Sequence, residues 1–149
     1  MNSPGTAHHV GPGEGRSVDL GVLSMRLVAG GETTGRRYTL AEFHGTSGGA
    51  WTVPHLHAGF EESFFVLEGQ FTFTVGGEAI EAGAGSYVLV PRGTAHTIEA
   101  ADGGGRFLTL MVPGGLEEMF FELGTMPADA IRDPAARASV AERYDSIPV

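Results

Sequence analysis

The sequence predicts an all-β domain of closed antiparallel architecture, followed by a short C-terminal helical extension. Three observations predict it. Between residues 17 and 113, short runs alternate polar and apolar residues, the period-2 pattern of half-buried strands. Glycine is abundant, 24 residues in all, and gathers between those runs, where tight turns join successive strands. After Pro113-Gly114-Gly115 the period changes, and Leu116, Met119, Phe120 and Leu123 recur at helical spacing. A chain of 149 residues suits one domain with a substantial core.

The elements follow in order. Residues 1–16 form a Gly/Pro-rich leader, expected to be flexible. Val18 to Val28 reads as a strand pair or one long strand ending at Gly30-Gly31, and Arg37 to His44 as a strand. Gly45 to Gly49 is a loop before strands around His55–His57 and Glu62–Leu67. Gln70 to Val75 alternates strictly, and Gly76-Gly77 supplies a two-residue hairpin turn into Glu78-Ala79-Ile80. Ser86 to Val90, His96 to Ala100 and Arg106 to Val112 complete the set, with Asp102 to Gly105 as a connecting turn. Glu117 and Glu118 open the first helix, where the dipole favours them, and Gly124 ends it. Asp133-Pro134 starts a second helix to about Tyr144, with proline at its first position. The divisions are therefore a leader (1–16), a β-barrel (17–113) and a helical extension packed on it (114–149).

Composition narrows the functional classes. The formal charge is −9 and every positive residue is arginine, so the chain lacks the basic footprint that nucleic acid or an anionic membrane requires. There is no cysteine, which excludes disulfides, thiolate ligands and cysteine nucleophiles. No apolar stretch reaches membrane-spanning length. The start, Met1-Asn2-Ser3-Pro4-Gly5, lacks the features of a signal peptide, so a cytoplasmic location is expected.

One constellation carries chemistry: His55, His57 and Glu62 in one block, and His96 after the turn Pro91-Arg92-Gly93-Thr94. Residues two apart on a strand point the same way, about 7 Å apart, so the His55 and His57 rings can converge on one ion. Three neutral nitrogens and one anionic oxygen suit one divalent transition metal: Fe, Mn, Co, Ni, Cu or Zn. Such a set leaves coordination positions free for water, O2 or a substrate oxygen. Glu61 is the adjacent alternative to Glu62, but alternation sends it to the opposite face. His8 and His9 fall in the leader, and His44 on its strand reads as exposed or hydrogen-bonded. Expected interior neighbours are Phe64, Val66, Phe71 or Phe73, Tyr87, Leu89, Ile98, Leu108 and Leu110. Phe64, Phe73, Tyr87 and Phe120 are the candidate substrate-pocket residues. The Met119-Phe120-Phe121 cluster is expected to pack on the barrel, with covering of the barrel mouth as the alternative. An apolar pocket beside one metal suits an aromatic or polyketide-like small molecule that binds through an enol, phenol or carboxylate oxygen.

These residues carry a family resemblance. Gly49-x5-His55-x-His57-x4-Glu62-x6-Gly69 resembles the first cupin motif, and Gly85-x5-Pro91-x-Gly93-x2-His96 resembles the second. The second motif often continues to an asparagine, where this chain has Ala100. The resemblance implies a double-stranded β-helix, or jelly roll, with one copy of the motif pair, a monocupin. The run Glu62-Ser63-Phe64-Phe65-Val66-Leu67-Glu68-Gly69 and the tail Pro113 to Phe121 resemble the quercetin 2,3-dioxygenase-like subgroup. That resemblance implies metal ligation by His55, His57, Glu62 and His96. It also gives Glu62 a second role, as the base that takes a proton from a substrate hydroxyl before reaction with O2. It further implies a homodimer, often formed by exchange of N-terminal strands. Two other functions use the same residues: a metal-dependent polyketide cyclase or isomerase without O2, and a non-catalytic small-molecule binding cupin.

Overall fold

The computed structural model describes residues 5–149. In chain order its elements are β1 (Ser17–Asp19), β2 (Ser24–Ala29), α1 (Gly31–Thr34), β3 (Thr39–Gly45), β4 (Gly49–Ala50) and β5 (His55–Leu56). There follow β6 (Glu61–Val75), β7 (Glu78–Ala82), β8 (Tyr87–Val90) and β9 (His96–Val112). The C-terminal part holds α2 (Glu117–Leu123), α3 (Ala128–Ile131), α4 (Pro134–Ala141), a 3₁₀ turn (Glu142–Tyr144) and β10 (Ile147–Pro148). No helix is long and apolar enough to cross a membrane.

Two strands organise the rest. β6 and β9 pair antiparallel from Glu61↔Val112 to Val75↔His96. Their first and last halves belong to different sheets. One sheet runs β1-β2-β3, then the C-terminal half of β9, the N-terminal half of β6, and β8. The other runs β10-β5, the N-terminal half of β9, the C-terminal half of β6, and β7, with β4 also on β9. The sheets face each other as a jelly roll. The hydrogen-bonded path runs from β1 to β10 without rejoining, so the expected closure is not reached.

Each long strand was expected as two strands. The Asp102–Gly105 segment is a bend within β9, and the register slips in β6 between Val66 and Glu68 and between Gly69 and Phe71. Glycine is required there. Gly69 has φ +84° and Gly104 φ +69°, and a Cβ on either would strike a backbone carbonyl oxygen, of Gly104 and Gly45 respectively.

The bends also decide which residues face inward. In β9 the inward set is His96, Ile98 and Ala100 before the glycines, and Phe107, Thr109 and Met111 after them. In β6 it is Glu62, Phe64 and Val66, then Phe71 and Phe73, so both of the latter are interior. The expected interior places of Tyr87, Leu89, Leu108 and Leu110 are therefore corrected. Tyr87, Leu89 and Leu110 are exposed and Leu108 is half-buried, while Val88, Val90, Thr109 and Met111 point inward. The side-chain period is two, so a register offset of one residue moves a whole strand's apolar set to the other face. The core centres on Phe107, whose ring lies 5.2–6.1 Å from those of Phe43, Trp51, Phe64, Phe71 and Phe73. Each fully buried phenylalanine contributes about 1.5–3 kcal/mol.

Residues 5–16 contain no regular element but lie along β2. His8 Nε2 meets Val28 O at 2.9 Å, Leu27 N donates to Arg16 O and Arg26 donates to Glu14 O. The short helices α1 and α3, the two-residue strand β4 and, at the other end of the chain, the strand β10 were not expected from the sequence. Asp133 caps α4 by accepting from Ala135 N at 3.0 Å, with Pro134 at the start of the helix.

A buried carboxyl group clasps the extension to the barrel. Glu117, only 4% exposed, accepts from Gly31 N (2.6 Å), the Thr39 hydroxyl (2.5 Å) and Gly115 N (2.9 Å). One side chain thus joins α1, β3 and the start of α2. Replacing Glu117 with Ala leaves two buried donors, Gly31 N and the Thr39 hydroxyl, without that acceptor, and each hydrogen bond to a charged group is worth about 1.5–3 kcal/mol. The expected outcome is a loss of at least about 3 kcal/mol in urea unfolding. Unchanged stability would show that the clasp contributes nothing.

Candidate metal centre and its cavity

The four residues singled out in the sequence converge from three strands. His55 lies on β5 directly opposite His96, the first residue of β9. Their ring centroids are 4.2 Å apart; His57, just past β5, is 4.9 Å from His55 and 5.4 Å from His96. The three imidazoles each offer a nitrogen, and these nitrogens all lie within 4.8 Å of one another. Glu62, near the start of β6, places Oε1 2.6 Å from His57 Nε2. His57, His96 and Glu62 are buried, and His55 is half-buried.

Hydrogen bonds on the far side of each ring fix its chemistry. Nδ1 of His55 faces Val53 O at 2.8 Å, Nδ1 of His57 faces Asp145 O at 2.7 Å, and Nδ1 of His96 faces Thr94 O at 3.0 Å. A carbonyl only accepts, so each Nδ1 carries the proton and each neutral ring turns a bare Nε2 into the cluster. Among the described residues, Nε2 of His57 and of His96 are buried without a hydrogen-bond partner. Glu62 Oε1, 2.6 Å from His57 Nε2, favours a positive charge at that nitrogen, in the direction a cation would also satisfy. Bare nitrogens gathered this closely are what a divalent cation satisfies, and backbone acceptors behind histidines are how metal sites hold their rings. His55, His57 and His96 could hold such an ion, with Glu62 adjoining through His57.

The electrostatics run the same way. Burial, reinforced by His96, lowers the pKa of His55 to about 4. Burial likewise lowers that of His96. Burial opposes charge on His57 too, but the Glu62 carboxylate outweighs it and raises the pKa. Burial works against ionisation of Glu62, yet His57, with the other two imidazoles, holds its carboxyl below the usual range.

The cluster stands in the wall of a cavity of about 400 Å³. Phe43, Trp51, Phe64, Phe107 and Met111 supply apolar wall from the barrel. Met119, Phe120, Leu123 and Ile131 supply it from the extension, so the helices shape the cavity as well as packing on the barrel. Two of the four expected pocket residues, Phe64 and Phe120, line it. Phe73 does not: it is fully buried behind Phe64, with ring centroids 5.1 Å apart. Tyr87 does not either, because it is 62% exposed on the outer face. His44 lies away from the cavity, in a groove with Arg26, Glu42 and Arg106.

Asp145 was missed by sequence reasoning. Beyond its carbonyl bond to His57, its carboxylate accepts from Ala58 N (3.0 Å) and Gly59 N (2.6 Å). It has φ +60°, a conformation that Asp tolerates. It lies 88 positions from His57, and no local pattern marks it. Losing a group that orients a metal ligand typically costs 10–100-fold in affinity. Asp145→Ala is expected to weaken divalent-metal affinity by about tenfold or more in chelator competition, with the fold retained by circular dichroism. The variant keeps the carbonyl that meets His57 and removes only the carboxylate that ties Ala58 N and Gly59 N, so wild-type affinity would show that this tie is not needed to hold the carbonyl in place.

The cupin domain family matches residues 43–113, the stretch that contains all four cluster residues. The chain is 30% identical over 125 residues to quercetin 2,3-dioxygenase of Aspergillus japonicus, covering 80% of this chain and 36% of that one. Against the quercetin 2,3-dioxygenase of Bacillus subtilis it is 30% identical over 112 residues, covering 75% and 33%. The chain thus spans about a third of the length of these relatives. Among solved structures, KdgF from Halomonas sp. superposes with TM-score 0.67 at 19% identity, over 76% of this chain and 99% of that one. The polyketide cyclase RemF from Streptomyces resistomycificus gives 0.60 at 24%, over 85% and 98%. The sequence match, the paired motifs and the jelly roll agree, and the chain belongs to the cupin superfamily, with a single cupin domain.

Proposed function

We propose that this chain is a metal-dependent dioxygenase of an aromatic or enolic small molecule, with His55, His57, His96 and Glu62 as metal ligands and Glu62 also as base. One observation carries the reading: three carbonyl-anchored imidazoles and a buried carboxylate converge in the wall of an apolar cavity. The relatives' name, quercetin 2,3-dioxygenase, supports the choice of reaction.

A divalent metal held there would supply Lewis acidity that lowers the pKa of a substrate hydroxyl, and a redox-active ion would permit chemistry with O2. Glu62, held below the usual carboxylate range, is a free base at neutral pH and accepts the hydroxyl proton at Oε1 or Oε2. Phe64, Phe107 and Trp51 seat a flat ring and exclude water. The identity of the metal is left open by this donor set.

A second reading, a cyclase or isomerase that uses no O2, draws on the same base and is favoured by the fold shared with the RemF cyclase. Elemental analysis joined to an oxygen electrode separates the two, using quercetin and polyketide-like enols. About one equivalent of metal with substrate-dependent O2 uptake is expected. Glu62→Gln is expected to keep most of the metal and lower turnover by about 10²–10⁴-fold. Full activity in that variant removes Glu62 from the base role, and product without O2 uptake favours the cyclase. A ligand retained unchanged favours a binding module.

We also propose a homodimer. The outer face of the first sheet exposes Phe65 (44%), Tyr87 (62%), Leu89 (42%) and Leu110 (37%) in paired positions on β6, β8 and β9, an apolar face that a second copy would cover. Light scattering should give twice the chain mass, and Phe65→Glu should give the single mass; a wild-type monomer sinks the idea.

A further inference from the structure

Thr109 is a hydroxyl in a place built for hydrocarbon. It sits on the inward face of β9 between Phe107 and Met111, pairs with Phe64 of β6 and Ala41 of β3, and is 1% exposed. Its Oγ1 is buried, and among the described residues it has no hydrogen-bond partner. The hydroxyl of Thr52, also in the cavity wall, is by contrast used: it accepts from Ile98 N at 2.9 Å. Thr109 is part of the same wall. A step of about 120° about χ1 presents either its hydroxyl or its methyl group there. A buried polar group without a partner destabilises a fold, and valine would fill the same volume with no such penalty.

Thr109 also stands at a defined place relative to the metal cluster. Met111, its inward neighbour along β9, pairs with Glu62. Thr109 is therefore one inward position, about 7 Å, along the sheet from the Glu62 row, towards Phe107 and Phe43. A ligand with one oxygen at the cluster and a ring system along Phe64 and Phe107 passes this hydroxyl.

We propose that Thr109 is a specificity-determining residue whose hydroxyl hydrogen-bonds a second oxygen of the substrate, several ångströms from the oxygen that meets the histidine cluster. The ligand class is then narrower than any enol: a flat aromatic molecule with oxygen at the cluster and a further hydroxyl or carbonyl several ångströms away. This deepens the small-molecule reading of the cavity and rests on it.

The test uses the metal-loaded protein under anaerobic conditions, so that binding is read without turnover. Two probes share a chelating hydroxy-ketone: quercetin, which carries further hydroxyls, and 3-hydroxyflavone, which does not. Trp51 in the cavity wall reports binding by fluorescence quenching. Thr109→Val is expected to lower quercetin affinity about three- to tenfold, the range of one neutral hydrogen bond, and to leave 3-hydroxyflavone unchanged. Thr109→Ser should restore the preference. Without ligand, the melting temperature of Thr109→Val should equal or exceed that of wild type. A quercetin-to-3-hydroxyflavone ratio that is the same in wild type and Thr109→Val, including binding of neither, overturns the proposal. So does a fall of several degrees in the ligand-free Thr109→Val melting temperature, because the hydroxyl would then serve the fold. Absent O2 uptake with the binding preference intact would instead sink only the dioxygenase reading.

Discussion

The structure depends on a long antiparallel ladder that folds back on itself. Glu62 pairs with Met111 near one end of the β6–β9 ladder, and Val75 pairs with His96 at the other. Thirteen positions separate Glu62 from Val75, so a flat ladder would hold Glu62 about 40 Å from His96. The bend at Gly69 and Gly104 removes that distance. It carries each strand from one sheet to the other, faces the two halves across the core, and sets Glu62 against the histidine cluster. Core and site are thus two results of one constraint. The glycines are obligatory at these positions because the chain there needs both a left-handed backbone and direct contact between backbones.

At the site, the fold holds a charge arrangement that is unfavourable by itself. Three imidazoles crowd together, their Nδ1 hydrogens are engaged by carbonyls, and a carboxylate is buried among them. Burial disfavours every charge present, and the mutual attraction of Glu62 and the imidazoles works against it, helped by the carbonyls behind the rings. The opposed shifts of His55 and His57 express that balance: His55 stays neutral well into acid, while His57 shares the field of the carboxylate. Such an arrangement persists when rigid elements hold it. Here β5 is paired on both edges, by β9 and by β10, and Asp145 ties the loop after His57.

What was legible in the sequence was local. His55 and His57 share a face because a strand alternates, and Glu62 and His96 follow from motif spacing, so all four could be read from short windows. The helical switch after Gly115 was legible for the same reason. The orientation of later strands was not. Tyr87, Leu89, Leu108 and Leu110 look interior from hydrophobicity, but a strand with apolar residues on both faces carries no signal for its parity, and the slips at the glycine bends cannot be counted from sequence. Phe73 was placed on the right face but in the wrong layer, since Phe64 stands between it and the cavity. Asp145 and β10 were invisible because their partners, His57 and β5, lie about ninety positions away and are joined through backbone groups, which leave no trace in residue type.

The last residues therefore belong to the site as much as the barrel does. The extension gives the cavity Met119, Phe120, Leu123 and Ile131, gives His57 its anchor, and gives β5 its second edge partner. The Glu117 clasp fixes where that extension starts, by joining α2 to β3 and α1. Cluster and wall are consequently coupled: a movement of the helices that changes the shape of the cavity also moves the carbonyl that sets the tautomer and direction of His57. Ligand fit at the apolar wall and the basicity of Nε2 at the cluster are, on this geometry, two readings of the same packing.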